Sequence, residues 1–340
     1  MVQVGRVRVG RIAEVWRYPV KSMAGERVPG AEFGPLGMHA DRMWAVRDVE
    51  ADVTTSAKRL PGLLWCTARF AAPPPPDAGP GNAPEVIIGF PDGTEVSSSD
   101  PGVHAALSGY LDRDVQLRPL PPLTDKAQYR GNMTTQAGLR AALGIDDGEP
   151  LPDLSMFPIK KLAEITMYAT PVGSYADAYP VHLVTDRSLR TIAANAPDSD
   201  FDVRRFRPTL LVEVNAGVDP QAAESTASGY PEWEWCGGTL CTPGARLLPQ
   251  IPTIRCVMPS HEQPQLKRDR EVSRTLAAHS RRCLGVYGSV SQPGRIVEGD
   301  PLDLVPAERS KLATLTGTGV ARVKKALMRV GTAAIPKGDR

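Results

Sequence analysis

No uninterrupted apolar run in this chain approaches the length that crosses a bilayer. The stretch Met1 to Arg6 carries charge without an apolar core behind it, so no secretory signal is expected. Aromatic residues are only 6% of the chain, which argues against a stacked platform for single-stranded nucleic acid. A formal net charge of +2 is too small to make nucleic acid or a membrane surface the main partner. Cysteine is sparse: five residues, an odd count, irregular spacing and no Cys-x2-Cys pair. That excludes a disulfide framework, lacks the paired spacing of structural zinc, and fits a reducing, cytoplasmic setting. There is no G-x-x-x-x-G-K-[ST] phosphate loop, no G-x-G-x-x-G after a strand and no G-x-S-x-G elbow, which argues against nucleotide-driven and hydrolase chemistry. No motif indicates pyridoxal phosphate.

What is abundant points to β-structure. The 340 residues suffice for one large or two ordinary domains. With 33 prolines and 31 glycines, the chain favours short strands and many turns over long helices. Alternation predicts strands at Ile12 to Tyr18, Trp44 to Asp48, Leu63 to Phe70 and Val115 to Arg118, and a hairpin across Pro91-Asp92-Gly93. Pro101 to Leu111 has helical spacing. Residues 121–160 read as a long surface loop broken by prolines. Further strands are expected at Pro180 to Val184, Thr209 to Val214, Ala245 to Pro249, Ile254 to Val257, Tyr287 to Val290 and Leu302 to Val305, with a loop at 215–229. Helices are expected at Ser188 to Ala196, capped by Thr185 or Asp186, and at Asp269 to Arg282. The fold class is therefore mainly β with some α, and barrels are favoured over a βαβ arrangement. Beyond residue 307 the composition changes. Arg322, Lys324, Lys325 and Arg329 alternate with apolar residues as a basic amphipathic helix candidate.

Cys256 is the residue best suited to chemistry, because a thiolate is both a nucleophile and a soft metal ligand. Most lone cysteines are buried small hydrophobes, so its surroundings decide. Lys21 and Ser22 follow a strand that Pro19 helps to end, as an anion grip would. Arg42 sits between Asp41 and Asp48, either as a ligand contact or as an ion pair. Arg204, Arg205 and Arg207 are dense; in an extended segment 205 and 207 share one side. A zinc site from Cys256, His261, His279 and Cys283 is a weaker alternative.

These pieces are ordered. Tyr18-Pro19-Val20-Lys21-Ser22, then Ala40-Asp41-Arg42-Met43-Trp44, Asp202-Val203-Arg204-Arg205-Phe206-Arg207-Pro208, Pro252-Thr253-Ile254-Arg255-Cys256-Val257-Met258-Pro259, Gly285-Val286-Tyr287 and Gly294-Arg295-Ile296-Val297-Glu298-Gly299-Asp300-Pro301 follow one another. The set resembles the MOSC proteins, the molybdenum-cofactor sulfurase C-terminal family, in the two-part form with an N-terminal barrel; the amidoxime-reducing components belong to the same group. The resemblance implies an N-terminal β-barrel-like domain over 1–120, a MOSC β-barrel domain over 121–307 and an appended tail over 308–340. It implies a molybdenum–molybdopterin cofactor between the two, with Lys21, Ser22 and Arg42 on one side and Arg207, Arg255, Cys256 and Tyr287 on the other. Thr209 stands where asparagine is usual and is a possible contact. Cys256 ligates the metal, or alternatively carries sulfur as a persulfide. The implied activity is reduction of N-hydroxylated small molecules. No cysteine cluster for an iron–sulfur centre follows Asp300-Pro301, so electrons come from a separate donor of ferredoxin, flavoprotein or cytochrome b5 type.

Overall fold

The structure, a computed structural model, describes residues 5–131, 135–146, 149–214 and 229–307. The expected basic tail at 308–340 and nearly all of the loop expected at 215–229 lie outside them.

The strands are β1 (Val7–Arg17), β2 (Glu26–Val28), β3 (Gly30–Gly34), β4 (Gly37–Met38), β5 (Trp44–Asp48), β6 (Val53–Thr54), β7 (Thr67–Phe70), β8 (Val86–Gly89), β9 (Glu95–Ser97), β10 (Val115–Pro119), β11 (Val181–Thr185), β12 (Leu210–Glu213), β13 (Thr239–Cys241), β14 (Arg246–Ile254), β15 (Cys283–Gln292), β16 (Gly294–Val297) and β17 (Pro301–Val305). The largest sheet runs β12, β11, β15, β14, β13, β17, β1, and the pairing of β12 with β1 closes it into a seven-stranded barrel, with β2 added outside β1. Closure leaves these seven strands without an open edge. The mainly β fold with some α, built around a barrel, is therefore present.

The barrel holds one apolar core. Ile12, Val15, Leu210, Val212 and Leu302 are wholly buried in it, and each stabilises the fold by about 1.5–3 kcal/mol. A second core gathers Val20, Met23, Leu63, Ile88, Leu107 and Val115, and Cys256 and Met258 pack against it. The loop after β14 thus bridges the two cores. Pairing also crosses residue 120: β1 pairs with β12 and β17, and β3 pairs with β16.

Local structure departs from the sequence reading in four places. Leu63 to Phe70 is not one strand: Pro61–Trp65 forms a 3-10 helix, Pro61 setting its first turn, and only Thr67–Phe70 is extended. Within the expected loop at 121–160, Gln136–Leu143 is helical, with the Thr135 side chain accepting from the Gly138 N–H and Gly144 closing it at φ 63°, and a second helix begins at Ile159. The expected short strands at 245–249 and 254–257 are instead the single nine-residue β14, which ends at Ile254, so Cys256 is not in a strand. Its prolines fit because the register against β15 shifts between Pro249 and Ile251 and again between Pro252 and Ile254. Finally, Val203–Phe206 is a single helical turn and not extended; Asp202 caps it and Arg207 ends it in the left-handed region.

Gly285 lies on β15 at φ 77°, and a Cβ there would sit 2.5 Å from the Leu183 carbonyl oxygen and 2.7 Å from His182 Nε2. Gly285→Ala should therefore lower unfolding stability by about 2 kcal/mol or more, read as a lower denaturation midpoint. An unchanged midpoint would contradict the strand pairing that positions His182.

Candidate functional site

All eight sequence-selected residues, Lys21, Ser22, Arg42, Arg207, Thr209, Arg255, Cys256 and Tyr287, line one cleft. The chain end of β1 begins it. Pro19 turns the backbone, Val20 bridges to Trp44, and Lys21 N–H donates to the Trp44 carbonyl at 2.8 Å. Ser22, Arg42 and Arg207 all have positive φ, at 70°, 52° and 51°. Strained non-glycine backbone of this kind persists only where the surroundings over-determine it, and it gathers at functional sites.

Tyr18 organises the cationic wall. Two guanidiniums lie against its ring, with Arg207 Cζ 4.2 Å and Arg42 Cζ 4.8 Å from the ring centre. The phenol donates to the Pro208 carbonyl at 3.0 Å, and the backbone N–H donates to Asp41 Oδ1 at 2.8 Å. Burial pushes the Tyr18 pKa far above its ordinary value, so the phenol stays neutral. Arg42 is held by the Asp41 carboxylate. Arg207 Nη1 donates to the Met23 carbonyl at 2.5 Å, while its Nη2 is buried without a partner among the described residues. Burial lowers the Arg207 pKa to about 10, which leaves it cationic at neutral pH.

The other two arginines of the dense stretch serve the fold. Arg204 pairs with Asp202 at 2.9 Å, and Arg205 is buried with donations to the carbonyls of Asp200, Pro259 and Lys267.

The opposite wall carries the thiol. Arg255 and Cys256 follow the end of β14, and both side chains line the cleft; strand alternation, which would have sent them to opposite faces, does not apply. Arg255 Nη2 donates to the Phe206 carbonyl at 2.8 Å, Nη1 contacts His182 Nε2 at 3.3 Å, and Nε is buried with no partner among the described residues. Burial first, then Arg255, holds His182 well below the usual imidazole pKa. The imidazole is therefore neutral, and Nε2 serves as the acceptor for the guanidinium. Thr209 Oγ1 accepts from the His182 N–H at 3.3 Å, so this hydroxyl already has a structural partner. Tyr287 stacks on Tyr179 with ring centres 5.6 Å apart, and burial pushes its pKa up to about 12.

Lys21 is only 7% exposed, and its Nζ donates to Asp177 Oδ1 at 2.6 Å and to the Tyr175 carbonyl at 2.9 Å. Burial lowers the Lys21 pKa against the pull of Asp177. Burial would raise Asp177, but Lys21 and Lys58 together hold it well below the usual carboxylate range. Asp177 was missed by sequence reasoning, because Tyr175-Ala176-Asp177-Ala178-Tyr179 carries no pattern that marks it. His182 had a signal: one titratable residue inside the otherwise apolar run of β11. Of the zinc alternative, His279 is exposed on the helix Arg270–Ser280 while Cys283 is buried on β15. Among the described residues no three His, Cys, Asp or Glu side chains converge as metal ligands.

A closed barrel with a second β-rich unit beside it and a cationic, thiol-bearing cleft are the features the chain brings to the comparison. The MOSC domain model matches residues 171–303, and the MOSC N-terminal beta barrel domain model matches residues 9–78. The chain belongs to the MOSC family, in the form that carries this N-terminal domain. MOSC domains are associated with molybdenum-cofactor-binding proteins. Among solved structures, the YUAD protein from Bacillus subtilis is 11% identical, with a TM-score of 0.39 over 88% of this chain and 97% of that one. YiiM from Geobacillus stearothermophilus is 17% identical, with a TM-score of 0.26 over 37% of this chain and 54% of that one. Comparison with curated proteins gave no match. Among the described residues no helix is long and apolar enough to cross a membrane.

The residues present fit a phosphate-bearing pterin with a soft metal. Among the described residues two buried guanidinium nitrogens, Arg207 Nη2 and Arg255 Nε, lack acceptors, and an unpaired buried donor costs about 1–3 kcal/mol unless a ligand satisfies it. Cys256 is a free, half-buried thiol in the same cleft. Of the remaining cysteines, Cys241 is buried, and burial pushes Cys66, Cys236 and Cys283 up to about 12. In cofactor-free protein, a disulfide reagent near neutral pH should therefore modify one thiol per chain in a fast phase. Cys256→Ala should remove that phase; its survival in the variant would contradict this cleft as the accessible thiol site.

Proposed function

We propose that the protein is a molybdenum-cofactor-dependent reductase of N-hydroxylated small molecules, such as amidoximes, hydroxamates or N-hydroxylated bases. The observation that carries this reading is the convergence of the Cys256 thiol and two guanidinium groups with unpaired nitrogens in one cleft of a MOSC protein. When bound, the cofactor supplies the two-electron redox chemistry, and the protein supplies position and electrostatics.

Cys256 would ligate the metal through its thiolate, a soft ligand. Arg207 and Arg255 would hold the pterin phosphate through their unpaired nitrogens, one on each guanidinium. Arg42, Lys21 and Ser22 complete the cationic side of the cleft, and Thr209 fixes His182 beside Arg255. Burial pushes the Tyr287 pKa up to about 12, so at neutral pH it would offer the substrate a neutral hydroxyl donor. In the net reaction the substrate accepts two electrons and two protons: the N–O bond breaks, an N–H bond forms and water leaves. The electrons come from a separate protein of ferredoxin, flavoprotein or cytochrome b5 type.

A second reading, a sulfur carrier with a Cys256 persulfide, is favoured by one feature: among the described residues no hydrogen bond engages this sulfur. Metal-free protein carrying labile sulfur on Cys256 would identify the carrier.

With a chemical reductant in place of the donor protein, the wild type should reduce an amidoxime and Cys256→Ala should not, while its circular dichroism is unchanged. Full activity in Cys256→Ala would overturn the assignment. Charge-assisted contacts to phosphate are worth roughly 1.5–3 kcal/mol each, so Arg207→Ala should be purified with reduced pterin content and Arg207→Lys should recover only part of it. Equal pterin content in all three proteins would place the phosphate elsewhere.

A further inference from the structure

A second cleft lies on the far side of the Cys256–Val257 peptide: Cys256 lines the first cleft and Val257 lines this one. Its walls carry Arg140, Arg268, Arg270, Arg274 and Arg282, together with His261. Against five guanidiniums, the lining among the described residues holds two carboxylates, Asp146 and Glu149.

Their pairing is incomplete. Arg282 is satisfied, donating to Glu149 Oε2 at 2.6 Å and to the Leu143 carbonyl at 3.3 Å. Arg140 donates to the Asp146 carbonyl. Arg274 reaches Glu271 only at 3.8 Å. Arg268 and Arg270 are exposed at the rim, and no ion pair or hydrogen bond of theirs occurs among the described residues. His261 Nε2 is buried with no partner among them. At the floor, Ser260 and Ser273 place their hydroxyl oxygens 2.5 Å apart.

With Arg282 paired to Glu149, the lining still holds more cations than carboxylates, and a counter-charge in the concavity would relieve that excess. Planar guanidiniums match the spacing of phosphate oxygens better than that of chloride or water. The geometry points to a second anion-binding site, for a small molecule bearing a phosphate or diphosphate group. Arg268, Arg270 and Arg274 would grip it from the rim, with His261 supplying a polar contact below. The cleft also abuts the Cys256 loop, since Val257 N–H donates to the Ala142 carbonyl at 3.1 Å and Gly144 packs on the Val257 side chain. The site is independent of the function proposed for the first cleft.

Calorimetric titration of the protein as purified with inorganic pyrophosphate tests it. Wild type should bind saturably, and Arg268→Ala/Arg270→Ala should bind about tenfold or more weakly, the scale expected for lost charge-assisted contacts. Both arginines are exposed, and an unchanged melting temperature in the double variant shows that the fold is kept. Arg8→Ala/Arg11→Ala, which removes two surface cations elsewhere, should bind like wild type. No saturable binding to wild type would overturn the site. So would loss of binding in Arg207→Ala with retention in Arg268→Ala/Arg270→Ala, which would put the anion in the first cleft. An equal loss in Arg8→Ala/Arg11→Ala would reduce the effect to general surface charge and overturn the site as well.

Discussion

The stack of Arg42, Tyr18 and Arg207 is the contact on which the first cleft depends. Two guanidiniums face the same aromatic ring, and their mutual repulsion is offset by the electron-rich ring faces and by Asp41. The same tyrosine joins distant parts of the chain. It sits at the end of β1, its backbone is held by Asp41, and its hydroxyl reaches the carbonyl of Pro208. Arg207 answers by donating to Met23. The barrel and the second core are thereby locked together at the point where the cations collect.

Around this stack, among the described residues, Lys21, Arg42 and Arg255 each have fixed partners, while Arg207 Nη2 and Arg255 Nε do not. Lys21 is buried against Asp177, and Arg255 is oriented by the Phe206 carbonyl and by a neutral His182. A protonated His182 would add a further charge beside Arg255, and burial prevents that. The side chains around the cleft are therefore held in fixed orientations before any ligand arrives, which is what the proposed anion site requires. The backbone bears part of the strain, in the left-handed conformations of Ser22, Arg42 and Arg207.

Much of this was legible in the sequence, and the exceptions have physical causes. Alternation marked β1, which buries one face, and apolar content marked β11 and β12, which are buried nearly throughout. The helix at Gln136–Leu143 was hidden by the prolines around it, although its Thr135 and Gly144 caps are both written in the chain. β14 looked like fragments because Pro249 and Pro252 normally break strands; register shifts against β15 absorb them. The family motifs named eight residues that the fold brings to one cleft. Asp177 and the role of Tyr18 were not legible, since each depends on partners more than twenty residues away. The arginines of the second cleft come from separate segments, Arg140 on one side and residues 268–282 on the other, and no local motif joins them.

The central claim is that the Cys256 sulfur is a ligand of molybdenum held in the first cleft. X-ray absorption at the molybdenum edge of the purified protein measures this directly. The account predicts near-equimolar molybdenum, with sulfur scatterers from the pterin and one more from the protein, and one fewer in Cys256→Ser. An identical sulfur count in wild type and Cys256→Ser, or wild-type protein purified without molybdenum from cells supplied with it, would contradict the account.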